Sequence, residues 1–393
     1  LPGSLPETPV ACSLELLQRS SETLSSSLKY PRLLLSLLIV PLALRAADQP
    51  AWGGTTPDGK PARIAVAPLD TPRFSHLAWP KAVRTADGTI VLGYQIGTHH
   101  GDGSCPAVSL STDDGKTFSA PNILREFGPG MEYTNSGNMA IGLAHDGAVI
   151  LLAHGHTKNS SHIFGWRSTD NGRTWKPVDT SALGPNKTGS STGTIVQLPG
   201  KRLIVVGHYR DGSKPYTRGI WRSISEDDGL TWGEPALVSN VNAGEPVIVR
   251  HENRLLVFIR GRGPASVRQF IAVSDDFGQT WQTELSNLTP RGAHATLITH
   301  PFAMVDPHDP SKLLAATIER PLPAVATLWQ GDPKTLAFKP LRTLVTLPKI
   351  EGDPNTDFGY PWLIHVGGKR WLMFYYHGRV RGDCAIWVTE FEY

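Results

Sequence analysis

The stretch STDDGKTF, Ser111 to Phe118, decides the fold, because the chain repeats it as STDNGRTW (Ser168–Trp175), SEDDGLTW (Ser225–Trp232) and SDDFGQTW (Ser274–Trp281). All four read Ser-x-Asp-x-Gly-x-Thr-aromatic. Each copy is a turn with a mechanism. The Asp accepts hydrogen bonds from backbone N–H groups just beyond it, the Gly takes a conformation that other residues avoid, and Ser and Thr satisfy further local groups. The closing Trp or Phe fills apolar space beneath the turn. One such turn is common; four in register, at a period slightly above ~50 residues, mark a repeat architecture.

These motifs resemble the Asp-boxes of the sialidase (neuraminidase) superfamily. The resemblance implies a β-propeller in which each box joins the third and fourth strands of a blade, on the face away from the active site. The boxes therefore report fold and not chemistry. Around them the chain lays out six hairpins: AWPKAVRTADGTIVLGYQ, NMAIGLAHDGAVILLAHGH, GTIVQLPGKRLIVVGHYR, EPVIVRHENRLLVFIRGR, HPFAMVDPHDPSKLLAATIER and YPWLIHVGGKRWLMFYYHG. The fifth unit carries only a decayed box, WQGDPKTLAF (Trp329–Phe338), and the sixth ends with its third strand, CAIWVTEFEY. Its fourth strand is expected from the front of the domain, ARIAVAPL (Ala62–Leu69). The expected fold is thus all-β: a six-bladed β-propeller of four-stranded antiparallel blades, closed by an N-terminal strand, which removes the free sheet edges.

Composition agrees. The 393 residues are 40% hydrophobic and 19% charged, and 39 Gly with 32 Pro suit a turn-rich chain. A net charge of +3 with no Lys/Arg cluster argues against nucleic acid as a partner. Residues 1–47 are set apart from the fold. LLLSLLIVPLAL (33–44), with Lys29 and Arg32 before it and Arg45-Ala46-Ala47 after it, reads as a signal peptide, too short for a stable membrane span. One expectation is that Leu28 is a misread non-AUG start, so that the product begins at the residue before Lys29 and the residues ahead of it are an upstream extension. The expectation is a secreted or periplasmic protein with one domain over 48–393. Cys12 falls in the leader; Cys105 and Cys384 stand before the third strands of the first and last blades, either as a disulfide across the closure or as two separate buried thiols.

In such a ring the starts of the inner strands and the ends of the second strands open on one face. The starts give Trp79-Pro80, Asn138, Thr194, Glu245-Pro246, His300-Pro301 and Tyr360-Pro361. The second-strand ends give His99, His100 and Asp102, His154 and His156, His208 and Arg210, Arg260 and Arg262, Arg320, and Tyr376, His377 and Arg379. A cup lined with Arg and His suits an anionic ligand, since Arg presents a planar fork to a carboxylate or sulfate. Any single histidine there is better explained by solvation or a local hydrogen bond at a strand end. No HExxH or CxxC spacing supports a metal, and no cofactor is called for.

The resemblance extends to particular positions. Glu245 in GEPVIV is similar to the family's catalytic Glu-Pro strand start, and Tyr360 in GYPWL resembles the start of the last blade, where the nucleophile sits. Asp102 in HHGDGSCPAVSLS lies where the family has its mobile acid/base. Arg260, closing RLLVFIR, stands at the place of the second carboxylate-gripping Arg, and Arg320 near the third. The first is absent: Ala78-Trp79-Pro80 stands where the family has Arg-Ile-Pro, leaving Arg63 or Arg73 to reach in. A Tyr activated by Glu suits an anomeric carbon that bears a carboxylate, because a carboxylate nucleophile would be repelled there. The resemblance implies catalysis by Asp102, Glu245 and Tyr360, with Arg260, Arg262, Arg320, His100, His377 and Tyr376 around the substrate, an anionic glycan. Two alternatives stand beside this sialidase-like hydrolase. One is a lyase or glycosidase acting on uronate-containing or sulfated polysaccharide through His and Tyr. The other is a non-catalytic glycan-binding propeller, since a fold alone fixes no function.

Overall fold

The computed structural model describes residues 52–262, 268–288, 298–320, 322–352 and 355–393. The leader expected over residues 1–47, with Cys12, lies outside the described residues. Among those described, the chain is all-β, its helices being two short 3-10 turns, Pro72–Phe74 and Ser181–Leu183. No described helix is long and apolar enough to cross a membrane.

Successive strands pair antiparallel in groups of four. The first strands of the six groups are His76–Arg84, Asn135–Leu143, Ser190–Gln197, Ala243–His251, Phe302–Val305 and Thr356–Gly367. Each contacts the next, and the last contacts the first. The sixth group borrows its fourth strand from the front of the domain: Arg63–Val66 pairs with Cys384–Glu392, Ile64 lying opposite Trp387. This strand is shorter than the expected Ala62–Leu69, and Pro68, which has no N–H to give a ladder, follows its end.

Burial follows strand position. The second strands are buried on both faces, Ile90–Gly97 and Leu313–Ile318 along their whole length. They accordingly read as near-continuous apolar runs. An outer strand such as Gln282–Ser286 is half-exposed to exposed throughout.

The boxes lie between third and fourth strands with one hydrogen-bond pattern. In the first, Ser111 Oγ donates to Asp113 Oδ1 (2.7 Å) and accepts from the Gly115 N–H (2.8 Å), while Asp113 accepts from the N–H and hydroxyl of Thr117 (3.0 and 2.6 Å). The glycines are left-handed, with φ between +79° and +89°. Each also abuts the preceding group. A Cβ on Gly115 would meet Leu372, on Gly172 Val91 and Leu110, on Gly229 Ile150, and on Gly278 Ile204. In the decayed fifth copy Asp332 still caps its turn, accepting from the N–H groups of Lys334 and Thr335. Of the two arrangements open to Cys105 and Cys384, the structure has the free one: both are buried thiols.

Candidate active site

The site is built on one irregularity used repeatedly. In the first strands the antiparallel ladder slips at Ala78/Lys81, Ser136/Met139, Thr192/Ile195, Gly244/Val247 and Gly359/Trp362. In four of these, two residues face one across the ladder, the arrangement of a β-bulge. Three bulges start on a left-handed residue that is not glycine: Trp79 (φ 59°), Glu245 (φ 52°) and Tyr360 (φ 57°). Bulky side chains rarely accept that conformation, and it costs of order 1–3 kcal/mol each. Proline follows all three, and having no N–H it leaves no donor orphaned where the ladder is broken. At Trp79, Glu245 and Tyr360 the residue before the proline is thus the one turned out of the ladder.

Those three side chains meet at a cavity of ≈ 270 Å³. Trp79, Glu245 and Tyr360 line it with His100, Asn138, His154, His156, His208, Arg210 and Arg262. Glu245 is its anionic centre. Its Oε2 accepts from Arg260 Nη1 at 2.7 Å, and its Oε1 is 3.6 Å from Arg262 Nη2. Burial pushes the carboxyl pKa up, but the two guanidiniums overcome this and hold it well below the usual carboxylate range. Tyr360 is 5% exposed, and burial together with the adjacent Glu245 charge drives its phenol well above its ordinary value. Its ring stacks on His300 (4.9 Å, 23°) and tilts against Trp79 (6.2 Å).

The far wall is histidine-rich. His154 and His156 stack at 4.7 Å, and Arg210 Nη1 lies 2.7 Å from His154 Nε2. Burial and neighbouring cations push both rings down, His156 to about 4, so this wall is neutral apart from Arg210. His208 Nδ1 accepts from the Glu245 backbone N–H at 3.3 Å.

Glu245, Tyr360, Arg262 and His100, all expected in the site, thus share one cavity, with Arg260 directly behind Glu245. Others lie elsewhere. Asp102 is 66% exposed, with Oδ2 3.1 Å from His99 Nε2, and it does not line the cavity. Arg320 donates to the Phe358 carbonyl (2.9 Å). His377 is buried with Nδ1 2.6 Å from the Trp52 carbonyl, and Tyr376 is buried with its hydroxyl on Asp357 (3.1 Å). Neither candidate for the absent first Arg reaches in: Arg63 is held by the Gly115 and Lys116 carbonyls, and Arg73 by Glu126 (2.9 Å) and the Phe127 carbonyl.

Two residues escaped the sequence reading. Lys81 is fully buried beneath Tyr360. Asp357, 4% exposed, accepts from His100 Nδ1 (2.5 Å), His76 Nε2 (3.1 Å) and Tyr376. The only available signal for Asp357 was an acidic residue inside an apolar strand. His76, His100 and Asp357 are of metal-ligating type and lie within 4.8 Å of one another. Their contacts are direct hydrogen bonds, closer than the ~3.3 Å that separates two donors sharing a tetrahedral ion with bonds of ~2.0–2.1 Å.

Comparisons with known proteins bear on the fold that carries this site. A model of the BNR repeat-like domain matches residues 60–371. No curated protein matches the sequence. Among solved structures, a protein of unknown function from Dyadobacter fermentans superposes with TM-score 0.63 at 20% identity, over 84% of this chain and 99% of that one. A mutant of the NanB sialidase from Streptococcus pneumoniae superposes with TM-score 0.61 at 13% identity, over 85% and 71%. An alpha-L-arabinanase from Penicillium chrysogenum, complexed with arabinobiose, gives 0.57 at 13%, over 84% and 97%. At these identities the likeness is one of fold.

Proposed function

We infer the activity from one premise: the chain belongs to the BNR repeat-like domain family of the sialidase superfamily. Our reading is a glycoside hydrolase, exported through the leader expected at residues 1–47, that releases a terminal acidic sugar from a glycan. Its scaffold on this reading is a closed six-bladed propeller. That closure is supported by the cyclic contacts of the first strands and by Gly115 of the first group pressing on Leu372 of the sixth.

The observation that carries the reading is the meeting of two strained bulge residues, Glu245 and Tyr360, in one small cavity. Strain held at a pair of reactive side chains points to function. Tyr360 would attack the anomeric carbon while Glu245 takes its proton. In the resting site the two guanidiniums make Glu245 a poor base. A substrate carboxylate bound to Arg262 would compete for one of them and return basicity to Glu245, which ties recognition of an acidic sugar to activation of the nucleophile. The cavity volume, just below the ~300–1,000 Å³ of drug-sized ligand sites, suits a single terminal sugar.

The neutral wall of His154, His156 and His208, with Trp79 in place of an arginine, favours a second reading, β-elimination on a uronate. One experiment separates them. The chain from Asp48 onward is assayed against aryl glycosides of sialic acid, uronic acids and arabinofuranose and against 4-linked uronate oligosaccharides, whose O4 substituent can be eliminated, with Tyr360→Phe as control. Hydrolysis of an acidic glycoside that is lost in Tyr360→Phe supports the first reading. An ultraviolet-absorbing unsaturated product supports the second. A correctly folded protein that turns over none of these glycosides rejects the hydrolase reading.

A further inference from the structure

We propose that His100, oriented by Asp357, is the proton donor to the leaving group, in the role that the resemblance gives to Asp102. This rests on the hydrolase reading above. The cavity wall contains His100 and not Asp102. Asp102 is turned toward solvent and held by His99, so its carboxylate would have to leave that partner to enter the cavity. His100 needs no such movement. Its Nδ1 is occupied by Asp357 at 2.5 Å, which leaves Nε2 to carry a proton for the cavity. Its backbone N–H is anchored on the Val380 carbonyl (3.1 Å). The Trp79 indole lies edge-on to the His100 ring at 5.1 Å and 6.2 Å from the Tyr360 ring, so the proposed donor and nucleophile flank one aromatic surface.

Asp357 is itself built in. Its Oδ2 also contacts His76 Nε2, whose Nδ1 lies 3.3 Å from the Gly382 carbonyl, and its Oδ1 accepts from the Tyr376 hydroxyl. It sits three residues before Tyr360 on the same strand. The charged and titratable groups facing His100 are Asp357, His76, Tyr376, Arg320 and Glu245. Burial and Arg320 favour the neutral ring, and Asp357 and Glu245 favour the imidazolium and prevail. This is the arrangement in which a carboxylate fixes the tautomer and supports the cationic form of a catalytic histidine.

The steps balance. As the Tyr360 oxygen bonds to the anomeric carbon, its proton passes to Glu245. The glycosidic bond breaks with its electron pair on the leaving oxygen, which takes the His100 Nε2 proton and departs as an alcohol. Neutral His100 then takes a proton from water. The resulting hydroxide attacks the anomeric carbon, the bond to Tyr360 breaks, and the phenolate recovers its proton from Glu245. One water is consumed and all three groups are restored.

The test uses two glycosides of one sugar, one with an acidic phenol and one with an alkyl alcohol as leaving group. A departing phenolate needs little proton transfer. Expected for His100→Gln is a loss of about 10²–10⁴-fold in kcat/KM on the alkyl glycoside, a far smaller loss on the phenyl one, and disappearance of the alkaline limb of the pH profile. Asp357→Asn should shift that limb to lower pH. Equal losses on both substrates in His100→Gln, or the leaving-group dependence found in Asp102→Asn instead, would overturn the assignment. Histidine NMR titration reads the dyad without substrate. The His100 signal should titrate above the ordinary histidine value and fall in Asp357→Asn. A His100 that titrates below that value refutes the proposal even if no glycoside is turned over, whereas absent turnover with the expected titration tells only against the hydrolase reading.

Discussion

The Lys81 ammonium lies 4.9 Å from the centroid of the Tyr360 ring and 5.5 Å from that of Trp362, fully buried and without a hydrogen-bond partner. Burial draws its pKa from 10.5 down to about 7, against the pull of Glu245. Between those values the unfolded chain binds the proton and the folded chain does not. Stability is therefore full above pH 10.5 and declines as pH falls toward 7. At ~1.4 kcal/mol per unit the whole effect is roughly 5 kcal/mol. Lys81→Met should abolish this slope and be more stable at pH 6 by a few kcal/mol. Denaturant titrations from pH 6 to 10 check it, and a variant less stable than the parent at pH 6 would refute it.

Glu245→Gln removes the anion from between two guanidiniums. Breaking a buried pair on one side costs about 3–5 kcal/mol. Because the folded-state pKa of Glu245 is lowered, its contribution is present above the unfolded carboxyl value and lost as pH falls below it. Parent and variant should thus differ in melting temperature at pH 7 and converge in acid. Hydrolysis should be lost at all pH values.

Arg210 and Arg262 are the two arginines that line the cavity. A charge-assisted hydrogen bond is worth ~1.5–3 kcal/mol, roughly 10–100-fold in binding. Arg210→Met or Arg262→Met should raise KM by that order for a carboxylated glycoside and leave a neutral analogue of the same shape nearly unaffected. Equal losses on both would remove the anion from the account.

Two glycines with similar φ separate packing from backbone strain. Gly200 (φ 79°) has open space where a Cβ would go, whereas on Gly229 (φ 88°) it would lie 2.8 Å from Ile150 Cδ1 and 3.1 Å from Leu203 Cδ1. Gly200→Ala should cost only the left-handed penalty of ~1–2 kcal/mol. Gly229→Ala should add overpacking of about 1–3 kcal/mol. Chemical denaturation of the two variants measures the difference, and equal costs would mean the boxes do not brace neighbouring groups.

The parts of this molecule legible in its sequence are those set by local rules. The boxes repeat because each Asp serves N–H groups within four residues, and Glu245 and Tyr360 stood out because each opens a first strand where the resemblance puts a catalytic residue. Asp357 and Lys81 were hidden for the opposite reason. Their meaning lies in neighbours such as His76, 281 residues away from Asp357, and no short pattern encodes that. Arg320 and Asp102 were placed at the right ends of the right strands. Which way a long or exposed side chain turns is decided by the nearest unsatisfied partner, here the Phe358 carbonyl and His99.

The pairing of Ile64 with Trp387 sets an order in time. A ribosome makes Ile64 first and reaches Trp387 about 320 residues later, a wait of roughly 15–60 s at ~5–20 residues per second. Through that interval Arg63–Val66, the outer strand of the sixth sheet, has no partner, because the edge that will receive it has not been made. The sheet is therefore complete only once Cys384–Glu392 has been made, and its outer strand waits unpaired through most of the synthesis.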